Sequence, residues 1–241
     1  SRNVLTNLSN YERSNSVNEI MDLFSRYFNG SQSFQCTFSN TKALSIQYPL
    51  DSSFRIITGQ HFIDDSTYRY YGGIQLATGK FFPLNDSSQE LRHQQRELDN
   101  LTDNEWYGAL YYRIFDCIFN NEKYYLLLGF NAYSFYDRQK IIDIISFDQD
   151  NNPRFGKQVF LSDTGETQDL SLRKIYTFSA DVSFKLNYDA DLGYIVLDHL
   201  MPISSPYNHN QMIYVPDGSL EGFRYSAGLW QHINVLDQIP L

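Results

Sequence analysis

Asp198 and His199 stand side by side at the end of an apolar run, and Asp217 follows in the same third of the chain. A carboxylate and an imidazole are the common instruments of proton transfer, so these three are the catalytic candidates of a carboxylate-dependent hydrolase. Adjacent residues of a strand point to opposite faces, and Asp198 and His199 therefore cannot serve each other. His199 needs a more distant acid, and Asp198 needs an Arg or backbone amides. The ordinary alternative is a polar anchor at a strand end. Asn187-x-Asp189-x-Asp191 spaces oxygen ligands as a calcium loop begins, which makes Asp189 and Asp191 the metal candidates. Gly193 falls one place late, however, and Asp198 stands where the bidentate Glu belongs. A strand-turn-strand uses the same residues. Asp148-x-Asp150-x-Asn152 departs further, with Pro153 and Val159 at the sixth and twelfth positions.

Other chemistries find less. No G-x-S-x-G is present, and neither Cys36 nor Cys117 opens a helix, where a thiolate would be favoured. His61, His93, His199, His209 and His232 form no zinc pattern with them. Both cysteines read as small buried hydrophobes, with a disulfide between them as the lesser reading. Gly72–Gly73 lacks the strand-to-helix setting of a phosphate loop, and no cofactor is implied. Three tyrosine-rich stretches, Tyr68–Tyr71, Tyr107–Tyr112 and Tyr133–Tyr136, offer rings that stack on sugars or peptides. Cross-strand pairing of aromatics explains such stretches equally well.

The frame that must position these residues is β. The 241 residues include 19 Tyr and 18 Phe, which favour strands. Period-two runs fall at Ala43–Tyr48, Phe54–Phe62, Tyr68–Leu76 and Lys80–Leu84, then at Ala109–Asn120, Lys123–Tyr133, Gln139–Asp148 and Gly156–Phe160. Lys174–Tyr188 (interrupted near Ala180), Tyr194–Asp198, Gln211–Val215, Gly222–Tyr225 and a last strand through Trp230 complete the set. In the first long run of the second group, Tyr111, Arg113, Phe115, Cys117 and Phe119 are expected on one face. Tyr124–Phe130 is apolar almost throughout, as in a strand covered on both faces. Asp116 and Asp143 are the acids inside these strong strands, and Arg113 or Lys140 is the expected partner of either.

The chain thus reads as one mainly β domain of about three antiparallel four-stranded meanders, near residues 43–84, 109–160 and 174–235. They would stack as propeller-like blades, open twisted sheets or a sandwich. A polar insertion at 86–104 holds a short helix over Gln89–Leu101. One amphipathic helix precedes the sheets, over about 16–28, capped by Asn15 or Ser16 and stopped by Asn29–Gly30. A charge of −9 without a basic cluster argues against nucleic acid, and no run reaches the roughly 20 apolar residues of a membrane span. Ser1–Arg2–Asn3 reads as a processed start without a signal peptide.

YYLLLGF (Tyr124–Phe130), KIIDIISFD (Lys140–Asp148), GKQVF (Gly156–Phe160), IVLDHL (Ile195–Leu200), YVPDGSLEGF (Tyr214–Phe223) and GLW (Gly228–Trp230) are distinctive as a set. With LDSSFRIITG (Leu50–Gly59), they resemble a group of uncharacterised exported proteins of Bacteroidota-type bacteria. The resemblance runs from about residue 43 onward and implies an all-β body and a secreted, periplasmic or envelope location. It carries no activity. The expected function is a non-catalytic, extracytoplasmic binding or envelope protein with a protein or glycan partner, and the alternative is a carboxylate-dependent hydrolase of an envelope polymer.

Overall fold

The computed structural model describes residues 9–36, 38, 43–64, 67–88, 96–162, 169–208 and 210–234. Helix α1 (Asn10–Tyr27) comes first. The first sheet is the meander β1 (Leu44–Gln47), β2 (Phe54–Asp64), β3 (Thr67–Leu76) and β4 (Phe81–Pro83). The second is built on β5 (Leu101–Thr102), β6 (Leu110–Phe119), β7 (Glu122–Asn131), β8 (Asp137–Phe147) and β9 (Pro153–Phe155). β10 (Phe160–Leu161) leaves it, and β11 (Lys174–Ser179) returns to pair with β8. The third sheet runs β10, β15 (Leu229–Asn234), β14 (Met212–Ser226), β13 (Tyr194–Ser204) and β12 (Leu186–Asp189). The protein is therefore mainly β, with sheets of four, six and five strands in which β10–β15 is a parallel pair.

Alternation along β7 explains the layering. Tyr125 and Leu127 face Phe54, Ile56 and Ile74 of the first sheet, whereas Tyr124, Leu126 and Leu128 face Ile195, Leu197 and Phe223 of the third. The middle sheet is thus covered on both faces, as the apolar run requires. α1 covers the far side of the first sheet, where Phe24 and Phe28 meet Ile57 and Phe81.

Several expectations need correction. α1 starts at Asn10, well before residue 16, because Arg13 is buried and donates to the carbonyls of Phe62 and Ile63. An apolar stripe alone does not count such an anchor. A register shift between Tyr111 and Arg113 turns Tyr111 toward the first sheet, while Phe115, Cys117 and Phe119 face the third. The expected strand at 156–160 is broken by Gly156, whose φ of +97° lies in the left-handed region and whose added Cβ would sit 2.9 Å from Arg173 Nη2. Lys174–Tyr188 splits between two sheets, and Gln211–Val215 with Gly222–Tyr225 form one strand. The insertion is not wholly superficial: Leu101 is buried, and the carbonyls of Arg96 and Asp99 accept from Arg173. Most of its expected helix lies outside the described residues, and Arg96–Leu98 is a 3-10 turn. Cys117 is buried, with its thiol pushed up to about 12 by that burial, but Cys36 is exposed and both are free.

Asp143 pairs with neither Arg113 nor Lys140. It meets Arg173 at 3.0 Å, with both side chains fully buried, and accepts from the Tyr111 hydroxyl at 2.8 Å. Asp116 instead accepts from the backbone of Leu50 and Asp51. Another buried cation, Arg55, ties the 3-10 turn Ser31–Gln35 that follows α1 to the first sheet. It donates to Gln75 Oε1, the carbonyls of Ser33 and Cys36, and the Tyr48 hydroxyl, all at 2.9 Å. The rings of Phe28, Phe34, Phe38 and Tyr48 surround its guanidinium at 5.0–5.9 Å.

His61, buried beneath α1, has its pKa lowered from 6.5 to about 4, first by burial and then by Arg13 and Arg69. As pH falls from 6.5, the unfolded chain takes up a proton that the folded chain refuses until about pH 4. Stability is therefore lost across that window, by about 2 kcal/mol after discounting for solvent screening. Urea midpoints at either end of the window should differ more for the wild type than for His61→Phe. Equal pH dependence in the two proteins would refute the assignment.

Beyond Asp198, β13 and β14 continue as a two-stranded ribbon, with Leu200 opposite Pro216 and Pro202 opposite Tyr214. Proline has no backbone N–H, so Pro202 and Pro216 reduce the donors that the ribbon offers to an incoming strand.

Candidate functional site

The structure brings two of the three catalytic candidates together. A register shift between Asp198 and Leu200 frees His199, whose Nδ1 lies 2.8 Å from Asp217 Oδ2. Asp217 also accepts from the hydroxyl and backbone of Ser219, which with His199 hold its carboxyl down to about 2. Ser219 bonds the acid and not the imidazole, so His199 does not activate it. Asp198 faces elsewhere and accepts from the Lys185 backbone at 2.6 Å. The pair is exposed at the base of the ribbon and lines none of the three recesses described below. It clasps a junction; a site for chemistry would need a wall and a nucleophile.

Asp189 and Asp191 form a turn. Asp189 Oδ1 accepts from the backbone of Asp191 and Leu192, and Gly193 follows at φ +73°. Asp148 closes its hairpin in the same way, accepting from Asp150, Asn152 and Arg154. Among the described residues, no group of three His, Cys, Asp or Glu side chains could hold a metal ion.

Three recesses are lined by described residues. A trough of about 760 Å³ between the first and second sheets has Phe54, Tyr125 and Phe147 among its lining, with the Glu122–Lys157 ion pair at its rim. A recess of about 420 Å³ is lined in part by Glu97, Asp169, Lys174, Tyr176, Glu221 and His232. Its acids are already engaged: Glu97 by the Ile175 backbone, Asp169 by Lys174 and Ser171, and Glu221 by His232 at 3.0 Å. Burial, followed by those three carboxylates, pushes the Tyr176 hydroxyl well above its ordinary range.

The third recess, of about 240 Å³, differs in kind. Tyr136, Ser179, Ser205, Tyr207, Asn208, Gln211 and Ile213 line it, and none carries a charge. Two loops build it. The 132–136 loop is held by Arg138, which donates to the carbonyls of Ala132 and Ser134, and by Asn131, which accepts from the Tyr133 backbone. The 205–211 turn closes on Ser205, whose hydroxyl accepts from the backbone of Tyr207 and Asn208. The segment Ala180–Asp181 lies between the two, with Ala180 donating to the Tyr136 carbonyl at 2.7 Å. Tyr207 donates to Asp181 at 3.1 Å, and its ring lies 5.7 Å from that of Tyr136, which in turn meets Phe135 at 5.0 Å.

Exposure separates the three tyrosine-rich stretches. Tyr70, Tyr71, Tyr107 and Tyr111 belong to the core, whereas Phe135 and Tyr136 are each 56% exposed and Tyr207 is 68% exposed. Sequence reasoning nominated Tyr133–Tyr136 and missed Tyr207, Asn208 and Gln211. The turn signal Ser205–Pro206–Tyr207–Asn208 between two strands could have marked the second wall. The molecule is thus a layered β protein with an aromatic-rimmed pocket whose described lining is uncharged. Comparison with protein families, curated proteins and solved structures finds no match.

Proposed function

We propose that this is a non-catalytic, extracytoplasmic binding protein whose glycan or protein partner docks between the 132–136 loop and the 205–211 turn. One observation carries the reading. Phe135, Tyr136 and Tyr207 remain in water around a pocket whose described lining is uncharged, although every other described ring of the tyrosine-rich stretches is committed to the core or half-buried. Rings exposed together beside polar side chains are the usual composition of a recognition surface. Export is supported by the resemblance of the strand motifs to an exported bacterial group.

The double variant Tyr136→Ala/Tyr207→Ala tests the reading. Envelope glycan fractions and peptide pools are immobilised and binding is compared by surface plasmon resonance. Loss of the two rings should weaken the retained partner about tenfold or more. Undiminished binding by a folded double variant would overturn the proposal. The alternative, a carboxylate-dependent hydrolase, is supported by the recess that gathers Glu97, Asp169, Glu221 and His232. Release of new reducing ends from the same fractions, abolished by Glu221→Gln, would replace the binding reading with that one.

A further inference from the structure

We infer that the pocket takes a neutral pyranose unit of a glycan, an inference that rests on the binding reading above. Its capacity comes first. A volume of about 240 Å³ is the share of about eight water molecules at roughly 30 Å³ each, enough for one sugar ring and too little for a folded surface.

The polar lining matches hydroxyl groups, which both donate and accept. Ser179 and Ser205 each accept a backbone N–H through the hydroxyl oxygen, which leaves the hydroxyl proton to give. Asn208 accepts from the Asn210 backbone through Oδ1, so its amide protons remain available. The Gln211 side chain and the Tyr136 hydroxyl have no hydrogen-bond partner among the described residues, and both line the pocket. An amide offers a donor and an acceptor in one plane, the arrangement that adjacent sugar hydroxyls satisfy. Ile213 supplies the apolar patch, and the faces of Tyr136 and Tyr207 supply the negative quadrupole that a C–H face of a pyranose meets.

Charge selects within the class. Among the described residues, the pocket lining contains no Lys, Arg or His, and Asp181 holds the Tyr207 hydroxyl at its margin. A uronate, sulfate or phosphate would lose its hydration and meet no cation among these residues, so anionic sugars are disfavoured. A peptide is the less suitable ligand for a separate reason. An extended peptide that adds to a strand edge needs backbone donors there, and Pro202 and Pro216 of the neighbouring ribbon supply none.

Titration calorimetry and saturation-transfer NMR test this with three probes: neutral hexose oligosaccharides, oligouronates of equal length, and tyrosine-containing peptides. The proteins are the full chain, Tyr136→Ala and Gln211→Ala, each checked for an unchanged urea midpoint. Neutral oligosaccharides should bind the full chain, about tenfold more weakly to Tyr136→Ala and several-fold more weakly to Gln211→Ala. Oligouronates should bind at least about tenfold more weakly than the neutral series. Tyr136-dependent binding of peptides or oligouronates, with none of the neutral series, would overturn the sugar inference and leave the binding reading standing. Binding of no probe, with no Tyr136-dependent partner in the envelope fractions, would remove both.

Discussion

Asp143→Ala is expected to lower the unfolding free energy by about 3–5 kcal/mol, because it leaves the Arg173 guanidinium charged and unpaired in the interior. Asp143 and Arg173 are both fully buried, and Tyr111, Trp106 and the carbonyls of Arg96 and Asp99 join their network. Most of the penalty is the stranded charge and not the lost attraction. The double variant Asp143→Leu/Arg173→Met should therefore recover most of the loss, since apolar groups of similar volume often replace a buried pair at little cost. Urea unfolding followed by tyrosine fluorescence measures both. A double variant as unstable as Asp143→Ala would show that the pair is worth more than its desolvation.

Arg55→Met should cost about 3 kcal/mol or more, and it should act mainly on α1. Arg55 differs from Arg173 in having no carboxylate partner among the described residues. Its charge is met by four acceptors and four aromatic rings. Methionine keeps the stem and leaves Gln75 Oε1 and the Cys36 carbonyl without their donor, and the Ser33 carbonyl with only the Cys36 amide. The 3-10 turn Ser31–Gln35, which those carbonyls tie down, then loses its hold on the first sheet. Hydrogen exchange should rise in Asn10–Tyr27 before it rises in β7 or β8. Uniform acceleration across the chain would refute this local role.

Much of the layering is legible in the sequence because one sheet is covered on both faces. Tyr124–Leu128 can be apolar at every position only with a sheet on each side, and the turn residues between strands set most of their limits within a residue or two. What sequence could not give is pairing at a distance. Nothing local links Arg173 to Asp143, or Lys174–Ser179 to β8, because both depend on where the chain returns after leaving a sheet. The register shift near Tyr111 was equally hidden: one extra residue in a strand reverses the faces without altering the composition. At the site, Tyr133–Tyr136 read as a stacking edge, but exposure is a tertiary property. Only the fold distinguishes Tyr136 from Tyr70. His199 and Asp217 were both nominated, and the ribbon's antiparallel return is what brings them to 2.8 Å.

The parallel pair β10–β15 bears on the order in which the chain can be assembled as it is made. Each other strand contact of the third sheet is closed by a hairpin, from β12 through β15, and can form as soon as its own turn is complete. Phe160 must wait for Trp230, and the Val159 carbonyl must wait for the Trp230 amide that reaches it at 2.8 Å. Until that late segment emerges, the face of the middle sheet carrying Tyr124, Leu126, Ile142 and Ile144 has no finished cover. Non-local closure of this kind is slow and leaves apolar surface open to association. The interval between residues 160 and 230 is therefore the stretch of synthesis in which this protein most needs protection.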